Sequence, residues 1–238
     1  MRVLVTRPAH SGERTAQRLR ELGHEPLLLP LTRPVHDMAA ARQALETTTG
    51  AIAITSAEAV RTLQPLGEAL ALHLSRRLFA VGETTADEAN KLGFHSVTAS
   101  SGSGRELAEL IAANKVDRLL YLAGSPRAET FETRLRELGR YFSVAECYRM
   151  EPVAPSPETV AALLANNPPD AVLFYSRHTA GNFFHIPQVE SLLLQLPKIR
   201  LICLSNTVAE AVPSVLRTVL EISPMPDEKS LLSLLRRP

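Results

Sequence analysis

The hexapeptide RLRELG occurs twice, at Arg18–Gly23 and at Arg134–Gly139, and at the same offset Arg2 before one apolar run matches Arg118 before another. These matches mark a β-α-β block over residues 2–30 that is repeated over 118–148. A second, weaker block is repeated as well. AIAITSAEA from Ala51 parallels AVLFYSRHT from Ala171, and RLFAVGETTADEA from Arg77 parallels RLICLSNTVAEAV from Arg200. The chain therefore reads block one, block two, block one, block two, and self-similarity on this scale implies two related folding units.

Within each block short apolar runs alternate with helical stretches, which is the pattern of parallel sheets covered by helices on both faces. Ala51–Ile54 and Ala171–Phe174 are apolar without alternation, as strands buried on both faces should be. Ser11, Thr55 and Ser56 are placed to cap helix starts, and Gly23, Gly93 and Gly139 to end helices. About ten strands are expected, too many for one comfortable open sheet at 238 residues.

The proline-bearing linkers decide how the blocks combine. Leu31–Val35 and Arg149–Pro155 follow block one both times, and prolines at this density exclude a helix interior. Block two joins the second copy of block one through Ser101–Gly104 and a helix beginning near Arg105, an ordinary β-α connection. The expected fold is α/β, with two flavodoxin-like doubly wound lobes. Residues 1–33 and 154–238 form a discontinuous lobe, 36–150 form an inserted one, and extended hinge strands lie near 31–36 and 148–154. The chemistry is expected in the cleft between the lobes.

Composition narrows the partners. With 26 basic and 25 acidic residues, net charge +1, the chain has no overall field to hold a nucleic-acid backbone or an anionic membrane. No apolar run approaches the roughly 18 residues of a membrane span, and Met1–His10 begin a strand rather than a leader, so a cytoplasmic protein is expected. Cys147 and Cys203 read as buried reduced thiols. The seven histidines are scattered without ligand spacing, so no metal is assigned.

Ligands of open parallel sheets bind beyond the carboxyl ends of the strands, where loops lead into helix N-termini with free N–H groups. The corresponding segments here are Thr6-Arg7-Pro8, Thr55-Ser56-Ala57, Gly82-Glu83-Thr84-Thr85, Ala123-Gly124-Ser125-Pro126-Arg127, Tyr175-Ser176-Arg177 and Ser205-Asn206-Thr207. Hydroxyls, small residues and arginines favour anionic groups. No nucleophile elbow, dinucleotide fingerprint or Walker loop is present, and no cofactor is indicated.

Val3-Leu4-Val5-Thr6-Arg7-Pro8, Ile54-Thr55-Ser56-Ala57-Glu58-Ala59-Val60, Ala80-Val81-Gly82-Glu83-Thr84-Thr85-Ala86, Glu146-Cys147-Tyr148-Arg149 and Leu204-Ser205-Asn206-Thr207-Val208-Ala209 together resemble the uroporphyrinogen-III synthase family along the whole chain. The resemblance implies a discontinuous two-lobed enzyme, a lyase, that cyclises the linear tetrapyrrole hydroxymethylbilane. Loss of the terminal hydroxyl gives an azafulvene cation, and attack by the substituted position of the last pyrrole forms a spiro intermediate. Its fragmentation and reclosure invert that ring. Tyr148 matches the family's hinge tyrosine, and a phenol there would protonate the departing hydroxyl. Ser56, Thr84, Ser176 and Thr207, with the backbone around Gly82 and Ser205, are carried over as carboxylate-binding positions. Thr6, Ala57, Thr85 and Gly124 complete the candidate set, and Arg7 and Arg127 are added for their charge. The sequence departs from many relatives at Ala123, where arginine is common, at Glu58, where asparagine is common, and at Ser205-Asn206, which replaces a Gly-x pair.

The implied partners are the substrate and, transiently, the enzyme of the preceding step. A monomer is expected. Two other readings stay open from the residues alone, a non-catalytic two-lobed protein that binds a small anion and a paralogue that keeps the fold without catalysis.

Overall fold

Apolar runs without alternation become central strands because helices cover both of their faces. The structure, a computed structural model, describes residues 1–166, 168–196 and 198–235. Among these, the strands are β1 (Arg2–Val5), β2 (Glu25–Leu28), β3 (Thr32–His36), β4 (Ala51–Ile54), β5 (Leu78–Val81), β6 (Val97–Ser100), β7 (Leu119–Ser125), β8 (Phe142–Pro152), β9 (Ala171–Phe174), β10 (Arg200–Cys203) and β11 (Leu220–Ile222). Every residue of β4 and β9 is buried. The chain divides into two compact units, Met1–Arg33 with Glu151–Pro238, and Pro34–Met150.

The first unit carries a parallel sheet ordered β11-β10-β9-β1-β2. Counted along the chain within the unit, this is the flavodoxin-like order 2-1-3-4-5. Successive residues of a strand face opposite sides of the sheet. Leu4, Val172 and Leu201 therefore enter one core, and Val3, Leu173 and Ile202 the other.

The second unit carries the sheet β3-β8-β7-β4-β5-β6. The repeats coincide here residue for residue. Val3 pairs with Ala171 as Leu119 pairs with Ala51, Leu201 with Val172 as Leu78 with Ile52, and Val3 with Pro26 as Leu119 with Phe142. The second unit is thus the same sheet with its two blocks in the opposite chain order, extended by β3. The N–H of Asp37 donates to Cys147 O at 2.7 Å and that of Val153 to Leu31 O at 2.9 Å. As one strand advances the other recedes, so β3 and β8 run antiparallel. Pro26 and Pro34 both lie on edge strands, where a missing N–H leaves no neighbour unpaired.

The repeated hexapeptide ends two helices in the same way. In Ala9–Glu21 and Thr130–Glu137, Leu22 and Leu138 close onto Arg18 and Arg134, while Gly23 (φ 77°) and Gly139 (φ 65°) turn left-handed. One boundary differs from expectation. Ser11 lies inside the first helix, whose start is set by Pro8, because a proline's missing N–H and fixed φ suit a helix entry.

Candidate functional site

In the second unit the parallel strands deliver Ser56, Gly82, Gly124 and Tyr148 to one end of the sheet. Ser56 precedes the helix Ala57–Leu63 and accepts from Glu58 N at 3.2 Å. Gly82 precedes Glu83–Leu92 with φ 72° and ψ 155°, a conformation open almost solely to glycine, and no side chain caps that helix. Thr84 lies exposed in its first turn, whereas Thr85 and Ala57 are buried.

Tyr148 owes its position to a bulge. Glu146 pairs with Ala123 and Tyr148 with Gly124, which leaves Cys147 as an extra residue in β8. Strict alternation would turn Tyr148 away from Cys147. The bulge instead sends both side chains to the core face formed by Ile52, Ile54 and Leu122. There the phenol lies over Gly124, where a Cβ would stand 2.1 Å from Tyr148 Cζ and 2.4 Å from Oη. Gly124 therefore acts as the seat of the ring, and its own surface is buried. Burial pushes the Tyr148 phenol up to about 12, against a hydrogen bond with the Ser56 hydroxyl that pulls it down. The group is a protonated donor throughout the neutral range.

The first unit presents equivalent tips. Ser176 caps Arg177–Phe184, accepting from Thr179 N at 3.1 Å, as Ser56 caps its own helix. Ser205 precedes Asn206–Ala209 without a side-chain cap, and Thr207 is exposed beside it. Thr6, by contrast, is fully buried and donates to Leu173 O at 3.0 Å.

A model of the family described as uroporphyrinogen-III synthase HemD matches residues 13–233. The chain belongs to the uroporphyrinogen-III synthase family. Its fold is similar to that of uroporphyrinogen-III synthetase from Helicobacter pylori, with 20% identity, a TM-score of 0.65, and 99% of this chain and 98% of that one covered. It is also similar to a mutant uroporphyrinogen III synthase from the extremely thermophilic bacterium Thermus thermophilus, with 20% identity, a TM-score of 0.57 and the same coverage. No curated protein matches the sequence in direct comparison. Membership in the uroporphyrinogen-III synthase family makes the chain an enzyme of tetrapyrrole synthesis.

Two departures from the uroporphyrinogen-III synthase pattern have physical explanations. Ser205 is extended, with φ −160° and ψ 169°, so its turn does not demand the glycine that Gly82 supplies. Glu58 is buried but compensated, with His36 Nε2 at 3.1 Å and an ion pair to Arg61, which also reaches Glu88 at 2.6 Å.

The two arginines chosen for their charge are already engaged within their units. Arg127 donates to Glu132 at 2.6 Å and Glu146 at 2.5 Å, and both carboxylates raise its proton affinity. Arg7 lies over the Tyr175 ring, 4.2 Å from its centroid, and donates to Glu228 at 2.9 Å. Thr15, Tyr175 and Arg18 also converge on Glu228. Sequence reasoning missed Glu228, which lies at the far end of the chain from Arg7, and it named Glu58 only as a departure, without the ion pair that its i,i+3 spacing to Arg61 offers. It also missed Tyr121, fully buried below the tips with its hydroxyl 2.9 Å from Thr55 Oγ1. Among the described residues no group of His, Cys, Asp or Glu is arranged to hold a metal ion, and no helix is long and apolar enough to cross a membrane.

Proposed function

We propose that this chain is a hydro-lyase that closes hydroxymethylbilane to uroporphyrinogen III with inversion of the last pyrrole ring. The observation that carries this reading is the Tyr148 phenol, held protonated by burial and seated on Gly124 beside Ser56. It donates to the departing hydroxyl, and the azafulvene cation forms as water leaves. No strong nucleophile is required, because the substrate supplies its own electrophile. What the protein supplies is orientation and restricted water, which prevent closure without inversion.

The eight carboxylates of the substrate are met by Ser56, Thr84, Ser176 and Thr207 and by the amides following Gly82 and Ser205, where helix N-termini favour anions. Arg7 and Arg127 act indirectly, by holding Tyr175 and the β7 turn in place. The enzyme works as a cytoplasmic monomer that receives its substrate through transient contact with the enzyme of the preceding step.

Incubation with freshly made hydroxymethylbilane, followed by oxidation and chromatographic separation of the isomers, tests the reading. Isomer III in large excess is expected. Isomer I alone, at the rate of buffer, rejects it.

A further inference from the structure

The internal repeat permits each ionic pair of one unit to be compared with its counterpart in the other. Arg2 and Arg118 are equivalent, as are Arg200 and Arg77, because they occupy the same register positions at the starts of strands that pair identically. In the first unit both arginines are neutralised. Arg2 meets Glu25 at 3.3 Å, and Arg200 makes a two-pronged pair with Glu221 at 2.6 and 2.7 Å.

In the second unit the positions of those carboxylates are taken by Tyr141 and Thr98, as the β7–β8 and β5–β6 registers show. Among the described residues Arg118 and Arg77 accordingly bond to neutral oxygens, Arg118 to Thr49 Oγ1 at 3.2 Å and Arg77 to Asn114 Oδ1 at 2.7 Å. A third arginine, Arg76, is fixed beside them by the carbonyls of Gly50, Leu45 and Thr48. The three line one cavity of about 530 Å³, with the hydroxyls of Thr49 and Ser75 and, among the described residues, a single carboxylate, Asp117. Its place is the strand-start end of the sheet, opposite the end that carries Ser56, Gly82 and Tyr148. Arg76 spends its fork on backbone carbonyls and the Thr48 hydroxyl and contributes charge, while Arg77 and Arg118 keep N–H groups beyond their bonds to Asn114 and Thr49. Three guanidinium charges against that one carboxylate have the chemistry of a multivalent oxyanion site.

We infer that Arg76, Arg77 and Arg118 form a binding site for a small multivalent oxyanion, separate from the tetrapyrrole site. The inference stands whether or not the proposed cyclisation is correct. Calorimetric titration of the full chain at low ionic strength, with inorganic pyrophosphate and with citrate as probes, tests it. Saturable binding of one equivalent of either probe is expected, and the preferred probe assigns the phosphate or polycarboxylate class. Arg77→Gln with Arg118→Gln should weaken that binding at least tenfold. A second variant keeps every arginine and restores the missing counterions, Thr98→Glu with Tyr141→Glu, and should weaken it similarly. Absence of saturable binding by the unaltered chain, or affinity unchanged in both variants, overturns the inference.

Discussion

At the scale of single residues the site turns on the pairing of Tyr148 with Gly124. Removing the hydroxyl in Tyr148→Phe should lower kcat for isomer III formation by about 10²-fold, the lower end for general acid catalysis, with little change in KM. Gly124→Ala places a methyl group inside the ring and should cost a comparable factor. Because both changes remove one positioned phenol, the double variant should be no slower than Tyr148→Phe alone, and multiplicative losses would refute the shared role. Titration adds a prediction. Burial holds Tyr148, Cys147 and Cys203 up near about 12. The folded chain thus keeps protons that the unfolded chain gives up from about pH 8.5 for thiols and about 10 for the phenol. The resulting stabilisation is complete below that window and is lost as pH rises towards 12, so the urea midpoint should fall steadily above about pH 9. Replacing both cysteines with alanine should flatten the fall. Tyr148 was legible in sequence as a candidate, but its orientation was not. Alternation along β8 predicts the opposite face, and nothing local announces the extra residue at Cys147.

At the scale of elements, strands and helix ends were largely legible because their causes are local. Unbroken apolar runs gave the central strands, and Gly23 and Gly139 ended their helices in the conformation that glycine alone adopts cheaply. Among the described residues nothing lies within 4 Å of a Cβ added at either position. Gly23→Ala and Gly139→Ala should therefore each destabilise by about 1 kcal/mol through backbone strain alone, read from urea unfolding. A loss at one position without a matching loss at the other would deny the equivalence of the two helices. The counterions of Arg7 and Arg127 were not legible. Glu228 lies at the far end of the sequence from Arg7, and only the assembled sheet brings helix Glu228–Ser233 back to β1.

At the scale of the whole molecule, the repeat and the proline-bearing linkers pointed to two related units, while the matching strand registers emerge only in three dimensions. The two units differ in continuity. Residues 34–150 are one segment, whereas the other sheet needs β1, an interior strand, from a distant part of the chain. A fragment of residues 34–150 should fold cooperatively by circular dichroism, and residues 151–238 should do so only when a peptide of residues 1–33 is added. Cooperative unfolding of 151–238 alone would contradict this assembly. As proposed above, strand-tip amides and hydroxyls hold the carboxylates of a tetrapyrrole. Hydrogen exchange with and without anaerobic uroporphyrinogen III tests it most directly. Slowed exchange is expected in the first helical turns after Ser56, Gly82, Ser176 and Ser205. Protection confined to other segments, or none at saturating ligand, would contradict it.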